Sequence, residues 1–267
     1  MTKKQKIWCS ILPVFVFLLY FGMVQVMSLW CSGGVQASFM GDLAAIVIGL
    51  SLYTVLLRRR RAVHPVEPFR PRAWAVLLWL LFIGIVWFIT QCMAFCITLR
   101  IDDVGLSAYQ TTVSQDIELW ILLAIFIAPV AEEVVFRFGM YLPWRNAFGG
   151  ILAGMLSSLL FAWIHGTVVH FPVGFLMGMF NVVIWEVTGE FKYPVLSHVI
   201  YNFLSVGAVI PVSQDVANGV LGSIWLNVLL GIVLFTGMIV LYVKRDVVRK
   251  FVVTPNKLDE WNRKWDE

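Results

Sequence analysis

The sequence predicts an all-α polytopic membrane protein with eight transmembrane helices. Hydrophobic residues make up 60% of its 267 positions, charged residues only 13%, and the mean hydropathy is +0.84. A soluble domain of ordinary composition carries about a quarter charged residues. Eight spans of about 20 residues would use about 160 positions, which matches the hydrophobic share. The composition excludes a disordered chain, a nucleic-acid-binding domain and a disulfide scaffold.

Apolar segments separated by polar residues give the expected spans. They lie near residues 7–30, 40–57, 73–99, 117–142, 148–166, 168–188, 193–212 and 222–243. The first segment is longer than the apolar region of a signal peptide, so we expect it to remain as a helix. For residues 102–116 we expect an external loop or a short interfacial helix. The charged segment 254–267 carries Trp261 and Trp265 four residues apart, which favours a short helix on the cytoplasmic face.

Basic residues predict the orientation, because short loops rich in Lys and Arg stay in the cytoplasm. The net charge of the chain is +4. Its basic runs lie within residues 3–6, 58–61 and 244–250, which an even number of crossings places on one side. We therefore expect a multi-pass protein of the cell membrane with both termini in the cytoplasm.

Three charged residues occur in the apolar fourth span: Glu132, Glu133 and Arg137. Each charge at the bilayer centre costs about 2.5–3.5 kcal/mol on insertion scales. Glu133 and Arg137 are four residues apart, with the acid first, which favours an ion pair. Glu132 lies about 100° around the helix and cannot share the arginine equally. One paired and one unpaired carboxylate is typical of a positioned base beside its structural partner. A purely structural ion pair between helices, or charges at the membrane interface, is the alternative.

Two histidines also lie in apolar spans. His165 ends the fifth, and His198 lies in the seventh, four residues before Asn202 on the same helix face. A single intramembrane histidine more often forms a hydrogen bond between helices than acts in catalysis. Two histidines and an unpaired Glu132 on three separate spans favour a functional site.

Other polar residues near the spans receive simpler interpretations. We expect His64 to be solvated in the basic loop and His170 to lie at the membrane interface. Glu186 and Glu190 flank a short loop, where a wet location is expected.

Together these motifs resemble the CAAX protease and bacteriocin-processing family of intramembrane proteases, which includes the type II CAAX prenyl endopeptidases. The family has two Glu followed by Arg, then Phe and His four residues apart, then His and Asn four residues apart. The corresponding residues here are Glu132, Glu133 and Arg137, then Phe161 and His165, then His198 and Asn202. The resemblance covers about residues 117–212.

The resemblance implies an intramembrane endopeptidase with a conical catalytic cavity. Glu132 would activate the attacking water and His165 would help to hold it. Glu133 and Arg137 would form the orienting pair. The remaining pair, His198 and Asn202, would stabilise the oxyanion.

The same resemblance divides the chain into three parts. Residues 1–116 hold the first three helices and the external loop, 117–212 form the catalytic core with helices four to seven, and 213–267 hold helix eight and the cytoplasmic tail. A membrane-embedded or lipid-associated peptide would be the substrate, with the lipid bilayer as surroundings and no nucleic acid as partner.

A metal is an open alternative. Glu132, His165 and His198 form a set of two His and one Glu, the ligand type of a catalytic zinc. No HExxH sequence is present, and the family is described as a glutamate-type protease. We therefore expect no cofactor, with zinc as the alternative.

Two other function classes remain in competition. One is a non-catalytic membrane protein, such as a bacteriocin immunity factor or a scaffold, in which the charges only pair helices. The other is a transporter, because intramembrane Glu and His also relay protons. A transporter needs a path through the membrane, and we expect no second set of polar residues in spans one to three.

Overall fold

The computed structural model describes residues 3–31, 33–61, 71–207 and 223–253, with the side chains of residues 50, 52–61 and 207 left out. Several sequence predictions lie outside the described residues. They concern His64, the end of the seventh span at 208–212, and the tail 254–267 with Trp261 and Trp265.

The described part of the chain is helical, which confirms the all-α class. Its helices are α1 (Lys3–Ser28), α2 (Gly34–Arg61), α3 (Ala73–Thr98), α4 (Val104–Gln115), α5 (Ile117–Phe148), α6 (Gly150–Trp163), α7 (His170–Thr188), α8 (Lys192–Gly207), α9 (Ile224–Val243) and α10 (Arg245–Val252). Its β structure is limited to one isolated antiparallel bridge between Pro71 and Val253.

Five of these helices are long and apolar enough to cross a membrane: α1, α3, α5, α7 and α9. Two helical segments are apolar but shorter. Gly34–Gly49, the first part of α2, occupies the position of the second predicted span, and α6 occupies that of the fifth. The 14 residues of α6 rise only about 21 Å, which is less than the hydrocarbon core of about 30 Å. The described helices therefore establish a multi-pass membrane protein, and the number eight stays a prediction.

Local signals explain where α4 and α5 begin and end. Asp103 caps α4, because its side chain accepts a hydrogen bond from the backbone N–H of Leu106. Asp116 caps α5 in the same way through Leu119. The break between α5 and α6 falls at Gly149, whose φ of 92° favours glycine. Of the two alternatives for residues 102–116, the structure has the helix.

Helix α7 lies at the centre of the bundle and contacts α3, α6, α8, α9 and α10. Small residues allow α6 to approach it closely. A Cβ at Gly178 would lie 2.8 Å from Oγ of Ser158, and one at Gly174 would lie 3.1 Å from Cα of Ala162. Small residues at helix contacts are how membrane helices bring their backbones together. This close contact fixes the end of α6, where the second motif lies.

The prediction of a wet location for Glu186 is wrong. Its side chain is 3% exposed and lies 2.7 Å from Nε of Arg145 and 3.2 Å from Nε of Arg245. The hydroxyl of Tyr141 donates to the same carboxylate at 2.9 Å. The sequence shows that Glu186 is close to a loop, but the two arginines come from distant helices, α5 and α10. By contrast, Glu190 is partly exposed and pairs with a surface lysine.

Candidate active site

Helix α5 presents the two glutamates on an irregular backbone. Two π-helical segments, Leu123–Ile127 and Val134–Tyr141, enclose the short α-helical stretch Ala128–Glu133. Segments of π-helix inside α-helices are frequent at functional sites because they turn the following side chains to a new face. Both glutamates therefore lie between two changes of helical register.

A proline explains why Asn202 is needed near this segment. In the first π segment, the N–H of Ala128 bonds the carbonyl of Leu123, five residues back. The next residue is Pro129, which has no N–H to bond the carbonyl of Ala124. The side-chain amide of Asn202 in α8 donates to that carbonyl at 2.8 Å. Asn202 thus supplies the hydrogen bond that the proline cannot make.

Glu133 joins three helices through one fully buried carboxylate. Its Oε2 lies 3.1 Å from Nε of Arg137, one turn further along α5, as the spacing predicts. Its Oε1 accepts from the amide of Asn181 in α7 at 2.8 Å and lies 3.1 Å from Nδ1 of His198 in α8. Because an ionised carboxylate only accepts, Nδ1 of His198 carries the proton. Glu133 therefore fixes both the position and the tautomer of the imidazole.

Glu132 lies on the other side of the same imidazole. Its Oε2 is 3.4 Å from Nε2 of His198. The Glu132 side chain is 12% exposed, whereas those of Glu133 and Arg137 are fully buried. The structure thus brings together Glu132, Glu133, Arg137 and His198. Of these four side chains, Glu132 is the most exposed.

The ring of Phe161 connects the second motif to this group. Its centroid lies 5.0 Å from the ring of His165 and 5.6 Å from the ring of His198, both edge-to-face. The guanidinium carbon of Arg137 lies 5.5 Å from the same ring, within the range of a cation–π contact. Phe161 is therefore the surface on which both histidines and the buried arginine are packed.

His165 follows the end of α6 and is held by its own helix. Its Nδ1 lies 2.8 Å from the carbonyl oxygen of Phe161, so Nδ1 donates and Nε2 is left as an acceptor. Within the described residues, neither a hydrogen bond nor an ion pair joins His165 to Glu132. The contacts that connect the two residues run through Phe161 and His198.

Sequence reasoning missed Asn181. It is fully buried in α7 and donates directly to Glu133. An asparagine within an apolar span was the available signal, since polar side chains in membrane helices usually face other helices.

Sequence reasoning also missed a polar pair in the first two helices. Asp42 of α2 is 3% exposed and accepts a hydrogen bond from the hydroxyl of Tyr20 in α1 at 2.8 Å. The Tyr20 ring packs edge-to-face on Phe136, one turn beyond Glu132. The prediction that spans one to three lack further polar residues is therefore wrong. Asp42 lies near the start of its apolar segment, where an interfacial position is the simpler interpretation of the sequence.

The arrangement of possible ligands bears on the zinc alternative. Across residues 3–31, 33–61, 71–207 and 223–253, no three His, Cys, Asp or Glu side chains are grouped so that they could hold a metal ion. Glu132 and His198 are close, but His165 does not complete the set.

Comparison with known proteins places the motifs in a family context. Residues 114–204 match the family model described as type II CAAX prenyl endopeptidase Rce1-like. A Bacillus subtilis (strain 168) protein named as a candidate membrane peptidase, YdiL, is 28% identical over 93 residues, or 34% of this chain and 37% of the relative. The membrane-embedded CAAX protease MroQ of Staphylococcus aureus (strain USA300) is 30% identical over 96 residues, or 34% of this chain and 39% of the relative. No solved structure matches.

These matches confirm the resemblance that the three motifs carry. All the motif residues, from Glu132 to Asn202, fall inside the matched segment. The matched part spans less than two-fifths of the length of either relative.

The different surroundings of the two glutamates predict opposite effects on stability. Glu133→Gln should lower the free energy of unfolding by about 3–5 kcal/mol, because Arg137 is left buried without its counter-ion. Glu132→Gln should leave stability nearly unchanged. Thermal unfolding of the purified variants in detergent measures both effects. An equal loss of stability in the two variants would contradict the assignment of the structural role to Glu133 rather than to Glu132.

The Asn202–Ala124 hydrogen bond predicts a dependence on Pro129. Asn202→Ala should cost about 1–3 kcal/mol, because a partly buried carbonyl loses its donor. In a Pro129→Ala background the same change should cost less, since residue 129 then has an N–H for that carbonyl. A double-mutant cycle on unfolding temperature measures the coupling. Ser205→Ala on the same helix is the control, and equal losses in both backgrounds would refute the explanation.

Proposed function

We propose that the protein is an intramembrane endopeptidase that hydrolyses membrane-associated peptide or protein substrates. One observation carries the proposal: Glu132 and Glu133 lie on opposite sides of one imidazole, at 3.4 and 3.1 Å from its two nitrogens. This arrangement occurs within the segment that matches the prenyl endopeptidase family. It provides a base, an orienting carboxylate and a proton carrier within a single group.

Glu132 is the proposed general base. It is the more exposed of the two carboxylates, and Arg137 is paired with Glu133 instead. A water beside Glu132 loses a proton to the carboxylate as its oxygen attacks the scissile carbonyl. The protonated Glu132 then gives that proton to the leaving amine, which restores the carboxylate.

His165 is proposed to hold the attacking water from a second side. Its Nδ1 donates to the carbonyl of Phe161, which leaves Nε2 free to accept a hydrogen bond from water. A water that donates to both Nε2 and Glu132 directs an oxygen lone pair at the substrate. The packing of His165 on Phe161 keeps this nitrogen in a fixed direction.

His198 and Asn202 are the proposed oxyanion donors. A donor must be fixed before charge develops, and Glu133 fixes His198 through Nδ1. The role requires a proton on both ring nitrogens, and the carboxylates of Glu132 and Glu133 on either side balance the resulting positive charge. The amide of Asn202 has two N–H donors, of which one bonds the carbonyl of Ala124. The second is the one proposed to reach the oxyanion.

Glu133, Arg137 and Asn181 orient this group rather than react. Removal of a carboxylate from water without partners is costly, so Glu133 stays charged only because it is surrounded by donors. The proposed enzyme is of the glutamate type and needs no metal cofactor. The alternative, a zinc held by Glu132, His165 and His198, requires His165 to move towards the other two.

The proposed location is the cell membrane, with eight crossings and both termini in the cytoplasm. The partners are then the lipid bilayer and a peptide that reaches the site from the membrane. A cavity open to the cytoplasmic half, or sideways between helices, would admit such a peptide.

The alternative is a non-catalytic immunity factor or scaffold. The buried network of Glu133, Arg137 and Asn181 favours it, because such a network can serve only to join helices. Replacement of Glu132 distinguishes the two functions, because Glu132 is not part of that network.

Replacing the proposed base should abolish cleavage. We expect Glu132→Gln to lower the cleavage rate of a membrane-peptide library by about 10²–10⁴-fold, the contribution of a general base. Glu118→Gln, an exposed glutamate in the first turn of α5, is the matched control. Wild-type activity should persist in the presence of a chelator. Cleavage by the Glu132 variant at the wild-type rate would rule out Glu132 as the base. No cleavage by the wild-type protein would favour the scaffold, and loss of activity with chelator would favour zinc.

The proposed orientation is tested with reporters of membrane sidedness. A reporter fused at Lys6 and another fused at Lys250 should both report the cytoplasmic side. Each fusion is expressed in intact cells. Its side of the membrane is measured with one reporter that is active in the cytoplasm and one that is active outside the cell. One terminus outside would overturn the topology.

A further inference from the structure

A single carboxylate, that of Asp103, joins the short helix α4 to the turn that follows His165. Its Oδ1 accepts from the N–H of Leu106 at 3.2 Å, which caps α4. Its Oδ2 accepts from the N–H of Val169 at 3.1 Å. Asp103 is 8% exposed, so both bonds are shielded from water. The carboxylate thus uses one oxygen for its own helix and the other for a turn 66 residues away.

Further contacts hold α4 against the same turn. A Cβ on Gly105 would overlap the carbonyl oxygen of Gly166, so glycine is required for this approach. Gly166 directly follows His165 and has a φ of 65°, which favours glycine. On the far side of the turn, the ring of Tyr109 in α4 packs edge-to-face on His170 at 5.5 Å. Helix α4 therefore contacts the turn both where the turn begins, at Gly166, and where it ends, at His170.

The charge state of Asp103 suits this role. Burial alone would raise the pKa of this carboxyl, but the backbone N–H groups of Val169 and Leu106 outweigh burial and lower it below its usual range. The carboxylate therefore remains an acceptor on both oxygens at neutral pH.

We propose that Asp103 is a positioning residue for His165, acting through Val169 and the turn between α6 and α7. The inference rests on the proposed function, in which His165 holds the attacking water. His165 lies beyond the end of α6, where its ring contacts the Phe161 carbonyl and the rings of Phe161 and His170. A helix end of this kind frays unless its backbone is fixed from outside. Asp103 provides that fixation from α4.

The competing explanation is that Asp103 serves only as the cap of α4. Asparagine separates the two explanations, because it caps helices as well as aspartate does. Its single side-chain oxygen can keep the bond to Leu106, but its NH₂ group cannot accept from Val169. Alanine removes both bonds. Asp102, the exposed neighbour, provides the control variant Asp102→Asn.

The experiment uses the full-length protein in detergent. Hydrogen exchange measured by mass spectrometry follows the peptides that cover residues 104–115 and 164–171. Cleavage of a membrane peptide gives kcat and KM separately. We expect Asp103→Asn to speed exchange only in 164–171 and to lower kcat by about 10–100-fold with KM unchanged, the effect of a small misplacement of a reacting group. Asp103→Ala should add faster exchange in 104–115 with no greater loss of kcat.

Three results would overturn the proposal. The first is that Asp103→Asn behaves as the wild type while Asp103→Ala does not. Capping of α4 would then be the whole role of Asp103. The second is faster exchange in 164–171 with kcat unchanged, and the third is an equal effect of Asp102→Asn. A wild-type protein that cleaves no peptide would overturn the proposed function instead, and the exchange measurement would still decide whether Asp103 holds the turn.

Discussion

A carboxylate with no access to water must find its counter-charge and its hydrogen-bond donors inside the protein, and Glu133 finds them on three helices. Arg137 comes from its own helix, Asn181 from α7 and His198 from α8. None of these helices can rotate or shift along its axis without removing a donor from a buried charge, which would cost several kcal/mol. The direction of the His198 ring follows from this one constraint. So does the position of Glu132, which faces the nitrogen that Glu133 leaves unused.

The backbone of α5 imposes a second, related constraint. Its π-helical segments place Glu132 and Glu133 between two changes of register, and Pro129 leaves the carbonyl of Ala124 without its usual donor. Asn202 fills that position from α8, one turn beyond His198. The pairing of α5 with α8 is thus specified twice, once through a side-chain carboxylate and once through a backbone carbonyl. A residue that the family resemblance marks as an oxyanion donor also serves to hold the helix that carries Glu132 and Glu133.

The sequence predicted what depends on neighbours along the chain. The pairing of Glu133 with Arg137 follows from helical spacing alone, and the motif residues follow from the family resemblance. The partners that come from distant segments were missed: Asn181, the arginines around Glu186, and Asp42 with Tyr20. No periodicity shows which helix will lie opposite a given face, so burial of a charge close to a loop could not be foreseen. The span count shows the same limit, since hydropathy locates apolar segments but does not give the length of α6, which the Gly149 break and the turn at Gly166 determine.

Helices outside the motif-bearing segment also pack against the helix that carries Glu132. Tyr20 lies outside the segment 114–204 that matches the family, yet its ring contacts Phe136 and its hydroxyl donates to Asp42. The motif-bearing segment is therefore not an independent module. Grafting it onto the amino-terminal helices of a relative would keep every motif residue and still change the packing against Phe136. Exchange of those first helices would therefore alter the surroundings of the motifs while the motif residues stay the same.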